Sequence, residues 1–339
     1  MLAVTNMYPT DAHPDDGTFV AGQVESLRDI GLEMEVLAVD RLDSGRQVYR
    51  NLAKTVRASL ETVNPDIVHV MYGGVMSAVV TKAIRERPVL VSFCGSDLLG
   101  IRGGAVQKLS SRFGVAASKR AAVRAAGIVV KSENLLHALP RGIDDSRVWL
   151  LPNGVDLRRF SPMDRLECQR RLGWDPSRRH VLFPANPTRP EKRFALAEAC
   201  VASLHQSGAD VDLHVLRGVP HEDVPRWLNA AGAILVTSTH EGSPNAVKEA
   251  LACNVPVVSV DVGDVRARVA GIDGCFIAEP TPEDLAAKLG QVFERSAPID
   301  ARKQLDEISL EHVAEQLREI YGTLTGRSPD PLASQTRDG

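Results

Sequence analysis

Short apolar runs alternate with amphipathic stretches along most of the chain. Runs of strand length occupy Leu2–Asn6, Glu35–Val39, Ile67–Met71, Val89–Phe93, Gly127–Val130 and Val148–Leu150. Helical spacing appears between several of them; from Phe19 to Ile30 it sets Val20, Val24, Leu27 and Ile30 on one side. A second series contains Val181–Phe183, a helical stretch over Phe194–Gln206, then Val211–Val215, Ala233–Ser238 and Pro256–Val260. Strands alternating with helices predict an α/β fold of doubly wound parallel sheets, whose ligands bind beyond the carboxyl ends of the strands. Turn residues and prolines from Leu151 to Pro162 interrupt the alternation and read as a hinge. The expected division is a first domain over 1–155 and a second over 156–306. A last helical stretch, 307–324, carries Val313, Leu317 and Tyr321 on one side, and the polar tail 326–339 is expected to be disordered.

Candidate chemistry gathers at strand ends. After Ala233–Ser238 comes a loop with Glu241 and Gly242, then Ser243 and Pro244 as an N-cap followed by proline at the first helical position, then Asn245. The first-turn N–H groups of such a helix suit a phosphate. Glu249 lies away from the stripe of Ala246, Val247, Ala250 and Leu251, so it either faces the same crevice or is a solvated surface residue. Between Val181–Phe183 and the next helix, Arg189 and Lys192 are placed to neutralise phosphate, surface charge being the alternative. Gly17 precedes the first helix, as a close backbone approach to a ligand or as a turn glycine. His69 and Tyr72 close one strand, and Cys94, Gly95 and Asp97 follow another, Asp97 being equally suited to a cap or a turn.

Glu241 to Glu249 with seven residues between, followed by the Pro256-led strand, resembles the nucleotide-sugar site of the GT-B glycosyltransferases of family 4. Pro152-Asn153-Gly154-Val155-Asp156 and Phe160-Ser161-Pro162 resemble that family's linker, and the likeness spans Thr5 to about Leu324. The resemblance implies two Rossmann-like domains facing across a cleft and transfer of a sugar, with retention, from a nucleoside diphosphate to a glycan or lipid-linked acceptor. It implies UDP over GDP as the donor base, no obligatory cofactor and no metal. Glu241 would bind donor-sugar hydroxyls and Glu249 the ribose. Lys192 and Arg189 would stabilise the leaving diphosphate beside Gly242, Ser243, Pro244 and Asn245, with Gly17 facing it and Arg193 a possible substitute for Arg189. Cys94, Gly95 and Asp97 would border the sugar, Cys94 standing where histidine is common, and His221 to Leu228 would border the nucleobase. The rivals are a GT-B nucleotide-sugar epimerase and a non-catalytic sugar-nucleotide or glycan-binding protein. A dinucleotide oxidoreductase is disfavoured, since no G-x-G-x-x-G follows the first strand.

Composition narrows this further. A formal net charge of −3 argues against a general nucleic-acid binder. The five cysteines are scattered, with no C-x-x-C pair and no histidine cluster at zinc spacing, which suits a reduced cytoplasm. No signal sequence or spanning helix is apparent. Between Asp97 and Glu133, however, every charged residue is basic: Arg102, Lys108, Arg112, Lys119, Arg120, Arg124 and Lys131, interleaved with Ile101, Val106, Leu109, Phe113 and Val115. This is either a solvated basic helix pair or a patch for anionic lipid, and it leads to the expectation of peripheral attachment at the inner face of the cell membrane.

Overall fold

A computed structural model describes residues 1–13, 16–100 and 105–327, without the side chains at 46 and 105–108. Expectations placed on Arg102, on the side chain of Lys108 and on the tail beyond 327 lie outside the described residues.

The first half runs β1 (Leu2–Thr5), α1 (Thr18–Asp29), β2 (Glu35–Ala38), α2 (Val48–Val63), β3 (Val68–Val70), α3 (Gly74–Ala83), β4 (Val89–Phe93), α4 (Ser96–Leu99), α5 (Ala105–Arg124), β5 (Gly127–Val130), α6 (Glu133–Leu136) and β6 (Val148–Leu150). The second half runs α7 (Arg165–Leu172), β7 (Arg179–Phe183), α8 (Phe194–Gln206), β8 (Val211–Val215), α9 (Val224–Ala230), β9 (Ala233–Val236), α10 (Asn245–Ala252), β10 (Val257–Val260), α11 (Val265–Val269), β11 (Phe276–Ala278), α12 (Pro282–Glu294) and α13 (Leu310–Thr325). The first sheet has the order β2-β1-β3-β4-β5-β6 and the second β11-β10-β9-β7-β8. Every pairing is parallel. These are two Rossmann-like doubly wound sheets of one topology, each reversing its strand order beside its first strand, at β1/β3 and at β7/β9.

Parallel strands covered by helices on both faces are apolar almost throughout, and β4, β5, β9 and β10 are buried from end to end. One core fills the second sheet. The first sheet has a core on each face, and on one of them Val20, Val24 and Leu27 of α1 meet Val313, Leu317 and Tyr321 of α13. The closing helix thus crosses back to the first sheet. It starts at Leu310 rather than 307 because Ser309 caps it, accepting from the His312 N–H at 3.2 Å. The two crossings run side by side: Val155 N–H donates to Ile308 O at 2.9 Å and Leu310 N–H to Val155 O at 3.0 Å.

Candidate functional site

Both switch points open at the carboxyl ends of their strands, and the ends face each other. Asn6, Tyr72 and Gly73 follow β1 and β3; Pro184, Thr237 and Ser238 follow β7 and β9; all line one cleft of about 1600 Å³. Strand β9 ends at Val236, short of the expected Ser238, because the carbonyls of Thr237 and Ser238 turn out of the sheet to accept from the Arg193 guanidinium.

On the second-domain wall the Lys192 ammonium and Glu241 carboxylate form a direct ion pair, each side chain 16% exposed. Residues 49 apart in sequence therefore meet at one point of the cleft. Arg189 also lines it, pairing with the buried Glu191 at 2.5 Å. Arg193 instead donates to the Thr237 and Ser238 carbonyls just after β9. Ser243 is not the cap it resembles: its hydroxyl donates to Asp264 at 2.8 Å, and α10 starts after Pro244 with no side-chain cap. The first-turn N–H groups of α10 keep their capacity for an anion, beside Gly242, Ser243, Pro244 and Asn245, all cleft residues.

The first-domain wall corrects several expectations. His69 does not face the cleft. It is 1% exposed inside β3, with Nδ1 2.7 Å from the Tyr321 hydroxyl and Nε2 2.8 Å from the Ser92 hydroxyl. Burial, aided by Lys131, pushes its pKa down to about 3, so the ring is a neutral tie between the sheet and α13. Asp97 is likewise buried and is absent from the cleft lining. Its carboxylate accepts from the N–H groups of Gly95 at 2.7 Å, Gly73 at 2.9 Å and Cys94 at 3.1 Å, so it shapes the loop and leaves contact to its neighbours. Cys94, Gly95 and Tyr72 do line the cleft, with the Tyr72 hydroxyl 2.8 Å from that of Ser96. Burial pushes the Cys94 thiol up to about 12, so it presents a neutral S–H where a histidine could have carried charge. Gly17, at φ 67°, is packed against chain: an added Cβ would lie 2.3 Å from the Met7 carbonyl carbon, so Met7 is what approaches it closely.

Glu249 departs from the surface reading and also from the main cleft. It lines a second cavity of about 420 Å³ with His221, Arg159 and Gly154, which shares Phe19 and Asn245 with the first. Burial pushes its carboxyl up to about 7 against the pull of Lys248 and Arg159. Of the stretch assigned to the nucleobase, His221 borders this cavity, whereas Trp227 packs edge-on against Trp174.

The domains touch at glycine. A Cβ on Gly242 would lie 2.3 Å from the Cys94 carbonyl oxygen, and one on Gly263 would lie 2.2 Å from the Gly242 oxygen. Asn134 donates to the Glu241 carbonyl at 2.9 Å, and the buried Lys248 to the Asn153 carbonyl of the hinge at 2.8 Å. Sequence reading missed Asn134, Gly263 and Lys248, whose roles depend on the other domain or a distant loop. The proline-led linker could have prompted a search for a hinge partner such as Lys248.

The basic run divides. Lys131 is 2% exposed and belongs to the interior. Arg112, Lys119, Arg120 and Arg124 are exposed along α5, and Leu109 and Phe113 beside them are 72% and 63% exposed at the cleft mouth. Among the described residues no helix is long and apolar enough to cross a membrane.

Two family descriptions match the chain: "Glycosyltransferase Family 4" over residues 21–159 and "Glycosyl transferases group 1" over residues 189–295. A Bacillus subtilis glycosyltransferase, TuaC, assigned by name to teichuronic acid biosynthesis, is 27% identical over 328 residues, 78% of this chain and 82% of its own. Among solved structures, sucrose-phosphate synthase from Thermosynechococcus elongatus superposes with a TM-score of 0.78 at 15% identity, covering 96% of this chain and 99% of its own. Anabaena Alr3699/HepE in complex with UDP gives 0.65 at 18% identity, covering 95% and 100%. At such identities the structural likeness speaks to fold.

Proposed function

We propose, for a chain that belongs to the family 4 type of GT-B glycosyltransferases, that it moves a sugar with retention from a nucleoside diphosphate, UDP over GDP, to a lipid-linked glycan acceptor. The observation that carries this is the Lys192–Glu241 pair at the cleft beside the uncapped start of α10. As the bond to the leaving diphosphate breaks, negative charge grows on its oxygens. Lys192, Arg189 and the α10 N–H groups bring fixed positive charge to that place, so transfer needs no obligatory metal. An ammonium has three donors and a carboxylate about four acceptor sites, so Lys192 can hold Glu241 and phosphate together while Glu241 also accepts from sugar hydroxyls. Glu249 accepts from the ribose in the adjoining cavity. The acceptor lies against Tyr72, Cys94 and Gly95, and no side chain acts as nucleophile. The relative in teichuronic acid biosynthesis supports a cell-envelope glycan, and the UDP complex of HepE supports a nucleotide donor.

Donor binding is tested by thermal shift with a panel of UDP and GDP sugars. At ~100 times the dissociation constant a ligand adds about 2.7 kcal/mol. Lys192→Ala should weaken nucleoside diphosphate far more than bare nucleoside; equal losses would remove Lys192 from the phosphates. Conversion of donor sugar with no acceptor present would favour the epimerase reading.

Peripheral attachment to anionic bilayers rests on α5. Arg112, Lys119, Arg120 and Arg124 supply charge at roughly 1 kcal/mol each near the surface, and Leu109 and Phe113 supply apolar area at the cleft mouth. Co-sedimentation with anionic liposomes should be strong at low salt and lost on charge reversal at Lys119, Arg120 and Arg124. Absence of lipid-dependent pelleting would leave a soluble acceptor.

A further inference from the structure

Sequence spacing shows no histidine cluster, yet the second sheet assembles one away from the cleft. Strand β7 sets His180 opposite Asp212 and Leu182 opposite His214 on β8. With a period of two, His180, Asp212 and His214 therefore share one face of the sheet. His180 Nδ1 lies 3.0 Å from His214 Nε2 and 3.7 Å from Asp212 Oδ2, and one ligand atom from each of the three lies within 4.8 Å of the others.

The protons on the rings follow from their partners. His180 Nε2 is 2.8 Å from the Asp175 carbonyl, which can only accept, so Nε2 carries the proton and Nδ1 turns a lone pair toward His214. A backbone carbonyl fixing the outer nitrogen is the support that metal-binding histidines use. Trp174 holds the second ring, stacked on His214 with centroids 3.6 Å apart and planes 7° from parallel. His214 Nε2 faces His180 Nδ1, so a change of tautomer lets it offer that nitrogen as a ligand.

We propose that His180, Asp212 and His214 form a binding site for a divalent transition-metal ion, zinc being the best match. Two imidazoles and one carboxylate are zinc ligands, and bonds of about 2.0–2.2 Å in a tetrahedron place ligand atoms roughly 3.3 Å apart. The His180–His214 gap opens slightly to reach that spacing and the His180–Asp212 gap closes slightly. Asp212 is also ion-paired to Arg178 at 2.9 Å, a carboxylate having acceptor sites for both. The side chain of Asp212 is 35% exposed and β8 is the edge strand, which gives the ion a way in and leaves water the fourth position. None of His180, Asp212 and His214 lines the cleft, so the ion clips β8 to β7 and takes no part in transfer.

The full chain, treated with chelator and titrated calorimetrically with zinc chloride, should take up one ion, and its melting temperature should rise with zinc but not with magnesium. Cobalt should give the visible absorption of a four-coordinate site. Asp212→Asn, at a half-exposed position where folding is not at risk, and His214→Gln should lose both the stoichiometric uptake and the zinc-dependent melting shift while binding nucleoside diphosphate as before. Melting in chelator checks that each variant is folded; should His214→Gln not fold, Asp212→Asn decides. Absence of stoichiometric zinc uptake by the wild type, or uptake by both variants equal to it, would overturn the site.

Discussion

Gly242→Ala should disable the enzyme by holding its domains apart. Gly242 is absent from the residues with positive φ, so alanine meets no backbone objection there; the objection is steric. Its Cβ would lie 2.3 Å from the Cys94 carbonyl oxygen, and a comfortable contact demands roughly 1 Å more. Neither loop yields easily. Cys94 and Gly95 are tied to the Asp97 carboxylate, and Gly242 is held by Asp264 N–H donating to its carbonyl at 3.1 Å and by close packing on Gly263. The easier relief is across the cleft, which breaks the Asn134 bond to the Glu241 carbonyl and draws Tyr72 and Gly95 away from the donor wall. A displacement of that size at a reacting centre costs on the order of 100-fold in rate. Release of free nucleoside diphosphate from donor sugar, common to transfer onto any acceptor, measures the loss. Small-angle scattering should show a larger radius of gyration, while nucleoside diphosphate binding survives in the second domain. Wild-type turnover with wild-type scattering would refute the reasoning; wild-type turnover with a lowered melting temperature would place the strain inside a loop.

Glu241→Gln should lower turnover by about one to two orders of magnitude, since hydrogen bonds to a charged group are worth ~1.5–3 kcal/mol, with the melting temperature kept; full turnover of the purified variant would end that assignment. Donor affinity should rise with pH up to about 7 as Glu249 ionises to accept from the ribose, and Glu249→Gln should flatten the profile in titrations from pH 5 to 8. Its folded pKa is raised from 4.5, so the matching stability is full below the unfolded value and is lost as pH rises through about 7. His69 runs the other way: its folded pKa is depressed from 6.5 to about 3, so stability is full above pH 6.5 and lost as pH falls, by at most about 1.4 kcal/mol per pH unit in denaturant titrations. Tyr321→Phe should cost ~1–3 kcal/mol by leaving His69 Nδ1 without its partner, and an unchanged denaturation midpoint would deny the tie.

The alternation of strand and helix and the break between its two series were legible in the chain because each is a local pattern. Apolar runs of strand length can only be buried, and prolines with turn residues between two such series can only link them. Local pattern also identified which loops follow strands, and so named Lys192, Glu241, Cys94 and Tyr72 as candidates. What a side chain does at the end of a strand is not a local property. His69 and Asp97 sit at positions of the expected kind, but α13 supplies Tyr321 to one and the loop around Gly73 supplies N–H groups to the other, and both turn inward. Ser243 has the sequence of a cap and spends its hydroxyl on Asp264, brought there by the turn after β10. Lys131 looks like one more charge in a basic run until β5 carries it into the interior. His180 and His214 are 34 residues apart and become neighbours through strand register alone. Periodicity states which residues must leave water. Which polar groups then meet depends on how sheets, crossings and domains are assembled, because a buried polar atom takes whichever partner the assembled fold brings within reach.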